Sequence, residues 1–425
     1  MSKNSEIRTR IKAVSSKDGT KTALASLLSI LIGLIVGGII IIAVSAFNSD
    51  IGLKGGIEGL KLILFGAFSK GRDASGELVF GFNPVNIGNL LFRATPVIMT
   101  GLSVAVAFKT GLFNIGAPGQ YLAGTAATLI LALKIPSEVI PPFVIWIIAF
   151  IGGMAAGALW GAIPGILKAY LRMNEVLACI MTNWIAANGV TWIFENSPLR
   201  NGGESGKVGF IMKTTANGVA TAKFGLDKLF PGSQVNGGIF IAVIFAVLVY
   251  IIITKTVLGY EMKACGYNKD AAEYAGIKSK RMIVFSMAFA GALAGGGAAL
   301  YYLSGNTEFF WSTYQSLPSE GFNGIPIALL ASNNPIAVIF TGSFMSVLSV
   351  AGQQLKNLTS YNEYITNIII GIIVYLSAFS LVIKSFISSD KKIFRRKSTT
   401  ADENTHSDEK IISQAQRQTE EGGGA

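Results

Sequence analysis

Asn114 and Gln120 lie within Gly111-Leu-Phe-Asn-Ile-Gly-Ala-Pro-Gly-Gln120, which sets three glycines, one proline and two side-chain amides between strongly apolar segments. An amide both donates and accepts hydrogen bonds, so a group of them suits a neutral solute of mixed polarity, such as a nucleobase or sugar, better than an inorganic ion. Asn183, in a later apolar run, and Asn323, in Phe322-Asn-Gly-Ile325, extend the group, while Phe113, Trp184 and Phe322 offer flat faces for stacking. The same amides serve equally to cap interrupted helices and to bond between neighbouring ones, and residue type supports both readings. Catalysis has no comparable candidates. The single histidine, His406, lies in a polar tail, and Cys179 and Cys265 occupy an apolar run and a basic loop, which suits neither a metal cluster nor a disulfide framework. No catalytic set, resident metal or cofactor is expected.

The elements that must position these amides follow from composition. With 51% hydrophobic residues, 14% charged residues and a mean hydropathy of +0.52, the chain of 425 residues is too apolar for an ordinary soluble domain. An all-α integral membrane protein is expected. The net charge of +11 does not imply a nucleic-acid partner, because lysine and arginine concentrate at the tails and between apolar runs, as the cytoplasmic bias of membrane loops places them.

About ten transmembrane helices are expected within a membrane domain over 23–387. Residues 1–22 form a basic cytoplasmic segment, and 388–425 a polar cytoplasmic tail expected to be disordered. Spans are read at 23–47, 88–108, from the Gly111–Gln120 interruption to 133, and at 143–167, 174–194, 238–254 and 282–303. Ser332-Asn-Asn-Pro335 divides 321–350 into two short segments, and a last span covers 364–386. Both termini are then inside, since three crossings carry the chain from an external loop with Glu308 and Glu320 to the basic cluster Lys391–Lys397. Between Asn48 and Ile87 an amphipathic patch, 57–68, is expected on the outer surface. Gly153, Gly157, Gly161 and Gly165, at four-residue spacing, strip one helical face for close packing. An extracellular loop, 195–236, is long enough to fold; its Gly202–Lys207 stretch fails as a phosphate-binding loop, lacking the first glycine and the following Ser or Thr.

Short, Gly/Pro-interrupted segments in corresponding halves are a pointer to a transport site, and Phe113-Asn-Ile-Gly116 is echoed by Phe322-Asn-Gly-Ile325. A second constellation lies in the cytoplasmic loop 257–281. Gly266-Tyr-Asn-Lys-Asp-Ala-Ala-Glu-Tyr-Ala-Gly276 predicts a short helix capped by Asn268, with Asp270 in its first turn and Gly276 as its stop. Small Ala271, Ala272 and Ala275 let such a helix dock into a groove of another protein, although a simple surface helix fits the pattern too.

This loop resembles the coupling loop of ABC importer permeases, with Gly266, Asn268, Ala271, Ala272, Ala275, Gly276 and Ile277 at the matching positions. Together with Phe113–Gln120, Leu171-Arg-Met-Asn-Glu-Val176, Ile180-Met-Thr-Asn183 and Gly321–Leu330, it looks like the permeases of bacterial nucleoside importers. Those belong with the ribose-type and branched-chain amino acid permeases. The resemblance spans about 85–387 and departs at Pro118, where an acidic residue is expected. It implies an inverted-repeat permease subunit in a bacterial plasma membrane, working with an ATP-binding subunit, a second and different permease subunit and an extracellular substrate-binding lipoprotein. It also implies a nucleoside pathway near Phe113, Asn114, Gln120, Asn183, Trp184, Phe322 and Asn323, and contact of the 266–277 segment with the ATPase. The chain carries no nucleotide-hydrolysis motif, so it is not expected to be an enzyme. A sugar or branched-chain amino acid permease is the alternative substrate class. A stand-alone ion-coupled carrier would need acidic or histidine relays inside its spans, and Glu175 at a span end is the nearest such residue.

Overall fold

The computed structural model describes residues 18–48, 51–195, 197–201, 209–310, 316–377, 379, 382, 383 and 385. Residues 1–17 of the basic segment, the whole tail 388–425 and Gly202–Lys207 lie outside the described residues. The chain divides into two units, Ile30–Ala378 and a second made of Met1–Ser29 with Phe379–Ala425. Of the second, the described part is chiefly the beginning of the first helix.

The helices in chain order are α1 (Asp18–Phe47), α2 (Gly52–Phe65), α3 (Pro84–Lys109), α4 (Ala117–Lys134), α5 (Pro142–Leu171), α6 (Glu175–Glu195) and α7 (Leu226–Leu229). They continue as α8 (Gly238–Lys255), α9 (Val257–Tyr267), α10 (Lys269–Tyr274), α11 (Ser279–Tyr302), α12 (Ser319–Leu330), α13 (Pro335–Leu358) and α14 (Glu363–Ser377). Two small antiparallel pairs join β1 (Ser69–Arg72) to β2 (Leu78–Phe80) and β3 (Phe210–Ile211) to β4 (Phe309–Phe310).

Among the described residues, seven helices are long and apolar enough to cross a membrane: α1, α3, α5, α6, α8, α11 and α13. The other three expected spans correspond to α4, α12 and α14, of 18, 12 and 15 residues. At 1.5 Å per residue the 12-residue α12 reaches only about 18 Å, short of a hydrocarbon core of about 30 Å, so Gly321–Leu330 is a half-helix that does not span the core by itself. The α3 and α11 helices form the centre, with 83% and 72% of their apolar windows buried, whereas the outer α5 and α8 bury 28% and 33%.

Local chemistry sets the boundaries. Asn83 and Asn334 each precede a proline and accept from the two following backbone amides, so α3 and α13 begin with the same Asn-Pro cap. Between α12 and α13, Ser332 and Asn333 adopt left-handed φ of 49° and 57°, turning the chain back on itself. The Thr341 hydroxyl of α13 then donates to the Ile327 carbonyl of α12 at 3.1 Å. The interruption at Ser332–Pro335 is present, and it joins a short helix to a 24-residue one that runs past Val350.

Glycine decides which helices meet. A Cβ on Gly157 or Gly161 would run into the Gly291 or Met287 carbonyl of α11, and one on Gly124 of α4 would lie 2.5 Å from the Gly295 α-carbon. The four-residue stripe of α5 is therefore a packing face, occupied by α11. The amphipathic patch forms α2, but it does not simply lie on a surface: its Gly59 abuts Tyr361 and Leu355, and Leu62 and Ile63 are buried. The described part of 195–236 is folded. Thr221 donates its backbone N–H to the Leu303 carbonyl at 2.7 Å, and the Asn217 amide takes the Ala132 and Ile135 carbonyls at 2.8 and 2.7 Å, closing the end of α4.

Candidate functional site: an interrupted helix, a polar cavity and an exposed loop helix

After Lys109 closes α3, Gly111 takes a left-handed φ of 71° and the chain doubles back along the helix it has just left. This return brings Asn114 beside Ser103, to which its amide donates at 3.3 Å. Asn114 and Gln120 then exchange two amide hydrogen bonds, of 2.9 and 3.0 Å. The Asn114 side chain also accepts from the Gly116 N–H at 3.1 Å. Asn183 of α6 accepts from the Gly119 N–H at 2.9 Å and donates to the Ile115 carbonyl at 3.0 Å. Three of the expected pathway amides are thus brought together and buried, where they satisfy the backbone groups that the interruption frees.

The remaining expected residues lie elsewhere. Phe113 packs its ring on Phe108 at 5.2 Å between centroids, and Trp184 and Phe322 are exposed. Asn323 lines a cavity of about 570 Å³ between α3, the end of α11, the first turn of α12, α13 and α14. The volume falls within the usual range for small-molecule sites, roughly 300–1,000 Å³. The two echoed motifs differ in backbone, because Phe113–Gly116 precedes α4 in irregular conformation while Phe322–Ile325 lies inside α12. Their elements nevertheless meet: a Cβ on Gly321 would lie 2.5 Å from the Pro118 α-carbon. Pro118, the departure noted in the motif, occupies the first turn of α4 with its ring in that contact.

Glu320 is not part of an external loop. Its carbonyl accepts the Thr100 hydroxyl at 2.8 Å, which places it past the middle of α3, and its side chain borders the cavity. Arg93 borders the same cavity, donating to Ser349 at 3.2 Å and to Gln353 at 3.0 Å. Arg93 and Glu320 do not form an ion pair with each other, and the Glu320 carboxylate accepts from the Ser319 hydroxyl at 3.3 Å.

The loop helix α10 forms as its sequence dictates. The Asn268 side chain accepts from the Ala271 N–H at 3.0 Å, and Gly276 ends the turn with a φ of 83°. Asn268, Ala271, Ala275 and Gly276 are exposed, Ile277 is half-buried and Ala272 faces inward. Two aromatic rings stand out from this segment, Tyr267 and Tyr274, 91% and 97% exposed. Gly266, just before α10, meets the interruption itself: a Cβ on Gly266 would lie 2.6 Å from the Thr110 carbonyl carbon, and one on Gly111 2.7 Å from the Gly266 α-carbon.

Residues 86–378 match the family described as the branched-chain amino acid transport system permease component. The chain belongs to this permease family. It is 36% identical to the nucleoside ABC transporter permease protein NupB of Lactococcus lactis subsp. cremoris, over 74% of this chain and 89% of that one. It is 32% identical to the guanosine ABC transporter permease protein NupP of Bacillus subtilis, over 72% of this chain and 84% of that protein. The glucose ABC transporter permease protein TsgB13 of Haloferax volcanii is also 32% identical, over 63% of this chain and 69% of that protein. No solved structure matches. The permease is thus an α-helical, multi-pass membrane component of an ABC system, acting in the plasma membrane.

Sequence reasoning missed Arg93 and Glu320 as cavity residues of the permease, and the signal was present for both. Arg93 stands in the middle of an apolar run, where a charge marks function or pairing, and Glu320 directly precedes an apolar helix. Gln353 and Asn367 carry no such signal, since only the fold brings their helices to the cavity.

Proposed function

We propose that this permease takes nucleosides into the cell as the membrane subunit of an ATP-driven importer. The observation that carries the reading is the 36% identity extending over 89% of a nucleoside permease, with a guanosine permease matched over 84% of its length. A polar cavity of nucleoside scale inside an apolar bundle supports it. In this reading Asn323 faces the solute, and the amides of Asn114, Gln120 and Asn183 hold an interruption that rearranges as the pathway opens inward. Phe113, Trp184 and Phe322 lie along the surfaces that such a movement, or a second permease chain, would bring to the pathway.

ATP is hydrolysed by a separate subunit, which docks on α10 through Asn268, Ala271, Ala275 and Gly276, with Tyr267 and Tyr274 at the rim. Ala272, Ile277 and Gly266 hold that helix against the permease. A second, different permease chain completes the membrane unit, an external lipoprotein delivers the solute, and both termini are cytoplasmic. The test is uptake of labelled guanosine, adenosine and uridine by cells that depend on this system, competed by excess glucose, galactose or leucine. Nucleoside uptake that sugars and leucine leave intact is expected; competition by glucose would move the assignment to sugars. Gly276→Glu, which puts a charged side chain at a position of positive φ on the docking face, is expected to abolish uptake and leave the binding protein's affinity for nucleoside unaltered.

A further inference from the structure

Glu320 is half-buried at the depth of Thr100, and a carboxylate partly withdrawn from water within an apolar bundle needs a compensating group. Glu320 gains part of that from its place in the first turn of α12, where the helix dipole favours negative charge. A purely structural acid would also be paired. Here the one arginine bordering the cavity is engaged with Ser349 and Gln353 of α13, and the carboxylate takes a single hydroxyl from its own neighbour. Asn323 stands three residues further along α12 and borders the same space. The cavity therefore holds a carboxylate with free lone pairs, a guanidinium with unused N–H groups, the Lys356 ammonium and the Asn323 amide, with room for a solute of about nucleoside size.

That combination has a complementary ligand chemistry. A carboxylate accepts two adjacent N–H donors in a bidentate pair, and a guanidinium donates to two adjacent acceptors. A guanine base carries both sets, N1–H with the exocyclic amino group on one edge and O6 with N7 on another. Adenine lacks the N1–H, and the ribose diol, which can pair with either charged group, is common to every nucleoside and does not discriminate among them. We infer that the cavity between α3, α12, α13 and α14 is a solute-binding chamber of the permease itself, in which Glu320 and Arg93 select guanine-type nucleosides. This rests on the nucleoside reading above.

The test uses the complete importer in proteoliposomes, with labelled guanosine, adenosine and uridine delivered by the same binding protein. Glu320→Gln keeps the size of the side chain and removes one of the two acceptors, so the ratio of guanosine to adenosine uptake is expected to fall at least about tenfold. Glu320→Asp is expected to restore part of that ratio, and Arg93→Lys, which keeps the charge and loses the fork, to lower it. Stimulation of ATP hydrolysis by the loaded binding protein establishes that each variant is folded and assembled. A variant that is assembled and lowers all three nucleosides in proportion, or none, overturns the selective role of Glu320 while the nucleoside reading stands. If the wild-type importer moves no nucleoside, both fail together.

Discussion

Asn114 and Asn323 are the same residue type in echoed motifs, yet their surroundings assign them different work. Asn114 is fully buried, and its amide is shared with Gln120, Ser103 and the Gly116 N–H. Removing one partner of a buried hydrogen bond strands the other, at a cost of about 1–3 kcal/mol. Asn114→Ala is therefore expected to lower the thermal unfolding midpoint of the purified permease in detergent, whereas Asn323→Ala should leave that midpoint within a degree or two and reduce uptake. Equal loss of stability in both variants would contradict the distinction. The sequence shows that both asparagines are special and cannot separate them, because the difference lies in which helix stands opposite each one. The thiols also divide by surroundings. Cys179 is buried, while burial, aided by the Glu261 and Glu273 carboxylates, holds the half-buried Cys265 thiol above its ordinary value. A raised value leaves less thiolate at any given pH below it. Maleimide labelling of Cys265 should accordingly be slow at pH 7 and rise about tenfold per pH unit; a rate that levels off by pH 8 would show that the thiol is not so held.

Helices legible from their own sequence are those whose signal is periodic. The glycine stripe of α5 states its purpose without a partner in view, and its partner supplies Gly291 and Gly295 to the same contact. Gly157→Leu is expected to drive α5 from α11 and remove the permease from the membrane fraction, as judged by immunoblot; normal accumulation would mean the contact is dispensable. The half-helix α12 was legible as a break but not as a depth. Hydropathy reports that Gly321–Leu330 is apolar, and only the turn at Ser332 and Asn333, together with the Thr100 contact to Glu320, shows that the segment starts inside the bundle. Glu320 was misplaced for that reason: an acidic residue before an apolar helix reads as external unless the start of that helix is known to lie at depth.

Across the whole molecule, composition and hydropathy were enough to give an all-α membrane protein, and charge asymmetry predicts an orientation for it. The hairpin β1–β2 and the helix α10 are expected on opposite sides of the membrane. In a Cys265→Ser background, Ser75→Cys should react with an impermeant maleimide in intact cells, and Asp270→Cys only after permeabilisation. Reaction of both from outside would invert the orientation. The charged cavity was not legible at this scale, because Arg93, Glu320 and Gln353 are hundreds of residues apart in part and meet only after α12 and α13 fold back along α3.

The contact of Gly266 with Thr110 and Gly111, and that of Gly321 with Pro118, have a mechanical meaning. Each joins main chain to main chain with no room for a Cβ. A joint between side chains has play, since a rotamer can turn aside and absorb a small displacement; a joint of backbone on backbone has none. Read in order, these joints connect the last turn of α9, just before the exposed helix α10, to the interruption before α4, and the first turn of α4 to the turn of α12 carrying Glu320 and Asn323. A shift of a fraction of an ångström at the loop would thus reach the floor of the cavity without lost motion, and a single added methyl group at Gly266 would act as a shim in the linkage.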